Sequence, residues 1–528
     1  MAVLSNLAFS LVFTLGILYV FTRSRRRRNE RPLPPGPKGL PILGNVNDMP
    51  KPGVLECHHW LQHKDLYGPI SSVTVLGQTF VVINDPQIAF ELMRDRSAIH
   101  SSRPGQVFSC EMVGWRYGTA MLPYDEMWRT QRRNITKIAS THTSITMFDH
   151  VQEAEAVHFL LNVLDAPEKL FDHIRKEAGS VILKITYGYN TVSQGNDPFV
   201  DMATKTMAEF SVAVAPGKWM VDILPFLRYL PEWVPGTGFK DTARRMAAQL
   251  AQCTNQPYEF VKQQMRENRH KTSFVSQCIE DIGSDTEKAF VHKWAALSLY
   301  LGGADTTVSS LMTFFLAMTL FPEVQKKAQE ELDRVIGPSR LPVTSDKPSL
   351  PYIEACMLET HRWHQVLPMG LPHMSTEDDT CRGYRIPKGA VLLPNNWHFT
   401  HDAAVYPDPM TFRPERFITT ATHDAETDPR SFVFGYGRRI CPGRYVADNA
   451  LFITIAQSLA VFEVRKVVEG GREVEPEVQF EAGAVSHPMP FKCDIKPRSD
   501  RHVRLIREAE GKYPWEESDE RELGDIKW

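Results

Sequence analysis

A mainly helical fold with small β-sheets is predicted for this chain by three observations. Ala289 to Leu320 is a long apolar run with almost no turn formers, too long and uninterrupted for a surface helix, so it should cross the interior of a domain. Val73 to Asn84, apolar on either side of Gly77, reads as one small β-hairpin. Between Pro387 and Phe417 prolines and isolated aromatics dominate, which leaves room for short strands and irregular loops. With 528 residues, 42% of them hydrophobic, the chain can build one large core or two of ordinary size. Its net charge of -3 supplies no global field for nucleic acid. Eight scattered cysteines without a C-x-x-C pair indicate neither a disulfide framework nor a zinc site, as suits a body facing the cytosol.

From the amino terminus, residues 1–22 are expected to form a transmembrane anchor, because Ala2 to Thr22 carries no charge and about twenty apolar residues span a bilayer. Arg23, Arg25, Arg26, Arg27 and Arg28 follow, and no cation precedes, so the positive-inside rule puts the amino terminus outside the cytosol and the body inside. A cleaved signal peptide is the alternative, but it usually carries its cations on the opposite flank. Residues 23–45 combine this basic stop with the proline-rich stretch Arg31 to Asn45, which cannot continue a helix and is expected to be a stiff hinge. Residues 46–498 form the body. Gly217 to Pro235, apolar and punctuated by proline, suits either domain core or a lip dipping into a membrane. Residues 499–528 are mostly charged and are expected to be an exposed tail with little core.

Chemistry is concentrated in Phe434 to Gly443, where Cys441 sits in a glycine-rich turn just ahead of an apolar helical stretch. Pro442 suits a first helical turn, whose positive dipole end would stabilise a sulfur anion. A thiolate so placed is a metal ligand, and iron porphyrin is its obvious partner. In the long helix, Gly302-Gly303-Ala304-Asp305-Thr306-Thr307 puts a carboxylate beside a hydroxyl after two glycines that are costly in a helix interior. Room for a flat cofactor and for dioxygen accounts for that cost, with Thr306 offering a proton and Asp305 supplying it from solvent. Glu359 and Arg362, three apart on the helix Tyr352 to Trp363, share a face and can pair.

Phe434, Gly437, Arg439, Cys441 and Gly443 match at these spacings the haem-binding signature of the cytochrome P450 family, which the chain resembles over about residues 31 to 498. The resemblance is closest to fungal microsomal members that oxidise terpenoids, polyketides and indoles. It implies the P450 fold with an N-terminal transmembrane helix, and haem with Cys441 as its axial metal ligand. It implies Asp305 and Thr306 as the oxygen-activating pair, and a buried triad of Glu359, Arg362 and Arg416. Trp128, Arg132 and Arg439 are implied as contacts of the haem propionates, with His373 standing where many relatives have arginine. Arg129, Arg133, Lys137, Arg438 and Arg444 would form a basic face for an NADPH-cytochrome reductase. Pocket walls are expected from Phe108, Val113, Phe210, Leu301, Ala304, Val366, Leu367 and Val485, nearly all apolar, which suits a lipophilic small molecule.

The function implied is a monooxygenase that uses O2 and NADPH-derived electrons on such a substrate, a terpenoid before a polyketide or an indole. It would sit in the endoplasmic reticulum membrane, single-pass, with its catalytic domain facing the cytosol. A reductase-independent isomerase, dehydratase or peroxygenase, and a non-catalytic membrane-tethered haem sensor, are the competing readings; the Asp305–Thr306 pair favours the first. The spacings His361/His364 and His398/His401 lack the glutamate of a zinc site.

Overall fold

The computed structural model describes residues 31–526 except 52, 140–145 and 284. The anchor 1–22 and the arginines that follow it lie outside the described residues. Twelve helices of eight residues or more are described: α1 (Glu56–Tyr67), α2 (Glu126–Ala139), α3 (Asp149–Asp165), α4 (Leu170–Tyr187), α5 (Pro198–Val214), α6 (Phe239–Arg266), α7 (Phe274–Ile282), α8 (Thr286–Leu320), α9 (Pro322–Val335), α10 (Pro351–Trp363), α11 (Arg444–Val461) and α12 (Asp500–Lys512). Ten short strands accompany them: β1 (Ile70–Val75), β2 (Gln78–Ile83), β3 (His373–Met374), β4 (Asp379–Cys381), β5 (Tyr384–Ile386), β6 (Val391–Pro394), β7 (Phe462–Arg465), β8 (Val467–Glu469), β9 (Arg472–Val474) and β10 (Asp494–Pro497).

The expected long helix is α8, whose 35 residues span about 50 Å. Asp285 caps it by accepting from the N–H groups of Glu287 and Lys288. It is buried on all sides over most of its length, so its apolar run follows no 3.6-residue stripe. Its first half packs with α4, α5 and α6, and its second with α3, α9, α10 and α11, giving two large hydrophobic clusters. The turn from Gly302 to Thr306 lies between them and, beyond the exposed first turn at Thr286–Phe290, is the least covered part of the helix.

The hairpin at residues 73–84 is β1 and β2, paired antiparallel from Ile70↔Ile83 to Val75↔Gln78. β2 then runs parallel to β6, which pairs with β3, in a four-stranded sheet ordered β1-β2-β6-β3. The region 387–417 holds β6, as expected of short strands, but also a helix at Asn396–His401 that its prolines did not suggest.

Two expectations are corrected. The proline-rich stretch is laid along the body: Ser72 donates its N–H to Pro35 O at 2.8 Å and its hydroxyl to Pro34 O at 2.6 Å, and Arg385 N–H donates to Pro32 O. Proline supplies no donor but its carbonyl still accepts, so the segment docks as an acceptor strip. The carboxyl-terminal residues are not an exposed tail. α12 buries Ile506 against α3, the Trp515 ring stacks on His158 at 3.8 Å, and Lys184 pairs with Glu516 at 3.0 Å. Asn190 N–H donates to Asp519 at 2.7 Å, and Leu523 and Ile526 rest on the core. Charge-rich composition hid a few apolar anchors spaced to meet one side of the domain.

Candidate active site

One large cavity opens between the Gly302–Thr306 turn of α8 and the loop before α11, and the centre of a water molecule has about 350 Å³ in which to move there. Cys441 lines it from the loop side. That loop is held by its own backbone, with Cys441 N–H donating to Phe434 O at 2.7 Å and Ile440 N–H to Gly437 O at 3.2 Å. At Gly437 φ is +50°, and a Cβ there would collide with the Met93 carbonyl, so no other residue lets the loop close against its neighbour. Gly443 is the N-cap of α11, which places Pro442 just outside the helix and not in its first turn. Burial pushes the Cys441 thiol up, while the Gly443 N–H and the charges of Arg132 and Arg444 pull it back. Those opposing groups are what an anionic sulfur needs.

Opposite Cys441, the two glycines of α8 have different reasons. A Cβ at Gly302 would meet nothing within 4 Å and would project into open space. A Cβ at Gly303 would come within 2.7 Å of Ile182, so this glycine lets α4 approach α8 closely. Thr306 lines the cavity and donates its hydroxyl to Gly302 O at 2.6 Å. Asp305 turns away from the cavity and meets His487 at 3.1 Å.

Around one edge stand Trp128, Arg132 and Arg439, joined by Arg103, which no local pattern in the sequence singles out. The Arg439 guanidinium lies 4.5 Å over the Trp128 ring and donates to the carbonyls of Ser101, Thr119 and Leu122. Arg103 donates to the carbonyls of Ala120, Leu371 and Pro372. Burial pushes Arg103 down to about 9, and burial with repulsion from Arg103 and Arg132 pushes Arg439 to about 8. Arginine does not give up its proton, so burial leaves two positive charges at this edge that an anionic ligand would favour. His373 lines the same edge, with Nδ1 2.7 Å from His100 O. Burial and the nearby arginines hold it well below the usual histidine range. Arg103 thus stands beside His373 at this edge, where the sequence placed His373 but not Arg103.

The residues therefore fit a haem: a flat space, a cysteine on one face, a small-residue helix turn on the other, and cations where two propionates would emerge. Phe434 and Gly443 also line the cavity. Of the expected pocket walls, Phe210, Leu301, Val366, Leu367 and Val485 line it. Phe108, Val113 and Ala304 do not. Phe108 stacks flat on Trp219 at 3.7 Å and Val113 is buried in the surrounding core, so both support the wall from behind. Glu177, which the sequence does not mark, lines the cavity with its carboxyl pushed up to about 8 by burial and accepting from Thr454.

Below the cavity the triad is formed and fully buried. Arg362 donates to both oxygens of Glu359 at 2.7 and 2.8 Å, and Arg416 donates to Glu359 at 3.2 Å. Glu426, unforeseen, balances the second arginine at 2.8 Å. No cluster of three or more metal-ligating side chains exists among the described residues, the paired histidines included.

The family described as Cytochrome P450 matches residues 34–494 of the chain. Cytochrome P450 monooxygenase claR of Ampulloclitocybe clavipes is 46% identical over 93% of this chain and 91% of its own length. Cytochrome P450 monooxygenase ppsD of Aspergillus oryzae is 44% identical over 95% of this chain and 96% of its own. O-methylsterigmatocystin oxidoreductase of Aspergillus flavus is 40% identical, covering 92% of each.

Proposed function

The chain belongs to the cytochrome P450 family of monooxygenases, and on that premise we propose that it hydroxylates a lipophilic secondary metabolite, a terpenoid before a polyketide or an indole. The observation that carries this reading is the cavity wall above Thr306. Its side chains there are chiefly apolar, among them Trp115, Met121, Phe210, Leu299, Leu301, Val366, Leu367 and Val485. Two of its hydroxyls are already committed, Ser298 to Trp294 O at 2.8 Å and Thr306 to Gly302 O. A substrate rich in hydrocarbon and poor in polar anchors is held in such a space by shape.

Cys441 and Thr306 would flank a bound haem, which would supply the redox chemistry for O2 cleavage with two NADPH-derived electrons. Cys441 would provide the thiolate ligand, and Arg103, Arg132, Arg439 and Trp128 would hold the propionates. Thr306 would donate a proton where oxygen is reduced, and Asp305 would restore it. The apolar wall keeps water from the reacting C–H bond. Electrons would arrive from an NADPH-cytochrome reductase on the face carrying Arg129, Arg133, Lys137 and Arg438, all exposed, with Arg444 half-buried beside Cys441.

The body would be tethered to the endoplasmic reticulum by residues 1–22 and face the cytosol. Among the described residues no single helix is long and apolar enough to cross a membrane. Met220, Phe226, Tyr229 and Trp233 are exposed on the stretch expected to form a lip, Trp233 by 82%, which supports its contact with the bilayer.

The test is turnover under ¹⁸O2 with reductase and NADPH in lipid vesicles, on a panel of terpenoid, polyketide and indole scaffolds. The expected result is a terpenoid product carrying one ¹⁸O atom, formed only with both additions. Product formed without reductase would overturn the monooxygenase reading, and preferential labelling of an aromatic polyketide or indole would overturn the terpenoid assignment.

A further inference from the structure

Asp305 does not line the cavity, and the group it meets lies on the side toward solvent. Its Oδ1 is 3.1 Å from His487 Nε2, and His487 Nδ1 is 3.7 Å from Glu481 Oε2. Asp305 and His487 are 15% and 17% exposed, whereas the Glu481 side chain is 53% exposed. The three groups therefore step from the cavity-bearing turn of α8 out to solvent.

The placement is built, not incidental. Ser309, one turn beyond Asp305 on the same face of α8, donates its hydroxyl to Ser486 O at 2.6 Å. Ser486 donates its N–H to Val366 O at 2.9 Å and its hydroxyl to Glu481 O at 2.9 Å. Glu481 N–H closes the loop on His487 O at 2.8 Å. Burial opposes charge on the ring, but the Asp305 and Glu481 carboxylates outweigh it and raise His487 to about 9. His487 in turn lowers Glu481, against burial and with help from Arg175 on α4. His364, which also donates toward Ser486 O, is pushed to about 3 by burial and stays neutral beside it.

We infer that His487 is the positioning and proton-relay residue of Asp305, supplying it with protons drawn from solvent through Glu481. The inference rests on the monooxygenase reading, in which one atom of O2 enters the substrate and the other leaves as water with two electrons and two protons. For each proton, the imidazolium transfers its Nε2 proton to Asp305 Oδ1 and becomes neutral. A half-turn of the ring, or a water beside Glu481, then restores the lost proton from bulk solvent. Asp305 passes its proton on through water at the exposed Gly302 turn to the Thr306 hydroxyl as that hydroxyl donates, so no charge accumulates.

The test uses the holoenzyme with reductase and any substrate that the unaltered protein accepts. In His487→Gln, haem content and the CO-reduced spectrum should be kept. Product per NADPH should fall roughly tenfold, with matching release of hydrogen peroxide and a larger D2O effect on product formation. Thr306→Ala should show the same uncoupling. Separately, exchange of the imidazole C2 hydrogen, read by mass spectrometry without substrate, should place His487 above the ordinary histidine range and return it toward that range in Asp305→Asn. Unchanged coupling and isotope effect in His487→Gln, or an ordinary His487 indifferent to Asp305→Asn, would overturn the relay. If His487→Gln fails to take up haem, Glu481→Gln at the exposed carboxylate decides, with a smaller uncoupling expected and none overturning the route. A wrong substrate class would leave the exchange measurement untouched, so the two readings fail separately.

Discussion

At the scale of single residues, the site depends on atoms that cannot be exchanged for similar ones. Cys441→Ser replaces a polarisable thiolate with a hydroxyl that does not ionise near neutrality, so the red-shifted CO band of the reduced protein should disappear. A retained band would remove Cys441 as the ligand. The neighbouring glycines of α8 should part company under the same substitution. Gly302→Ala adds a methyl group to open cavity space and gains about 1 kcal/mol of helix propensity, so the melting temperature should hold or rise while substrate affinity changes. Gly303→Ala forces a methyl group against Ile182 and should cost about 1 to 3 kcal/mol by thermal unfolding. Equal stability of the two variants would refute the division of roles. Both glycines are visible in the sequence, but one motif gave them one reason; the neighbour of each is a matter of packing.

At the scale of elements, buried charge ties α10 to the turn at Pro414–Phe417. Glu359→Ala leaves Arg362 and Arg416, both fully buried, with only Glu426 and carbonyls as partners. A loss of about 3 to 5 kcal/mol and of most haem-loaded protein is expected, and a normal yield with an unshifted melting curve would contradict the triad. The carboxyl-terminal strap is held differently. Burial opposes ionisation of Glu516, but hydrogen bonds from Lys184 and Asn190 and the charge of Lys184 and Lys271 outweigh it and hold the carboxyl at about 2. A carboxyl depressed on folding stabilises above its unfolded value, near 4.5, and that stabilisation is lost as pH falls from there toward 2. Protection of α12 in hydrogen exchange should weaken over that interval, and Glu516→Gln should flatten the pH dependence. An unchanged pH profile in that variant would show that the strap is held by Ile506, Tyr513 and Trp515 alone. The helix α8 and the hairpin β1–β2 were legible because each is long or strictly patterned. The docking of α12 was not, since its anchors are few and gain meaning only against α3.

At the scale of the whole molecule, the proposed anchor and the haem domain would be separate burial problems. Removing residues 1–30 should move much of the protein into the soluble fraction with its CO-reduced spectrum intact, leaving weak, salt-sensitive binding through the stretch at Met220 to Trp233. Equally tight membrane association after truncation would make that stretch a principal contact. The family was determined by the sequence itself, and the expected cysteine ligand and acid–alcohol pair were legible there, because each depends on residue types at fixed short spacing within one element. Which groups complete them was decided by tertiary structure alone. Arg103 reaches the cavity edge across 336 residues from Arg439, and His487 reaches Asp305 across 182, as their positions in the chain give. Glu426 joins Arg416 only because the loop between them folds back, and Phe108 leaves the cavity because Trp219 covers it. Charge pairing and close packing act through space over a few ångströms, and no local pattern in a chain records which distant residue will fill that distance.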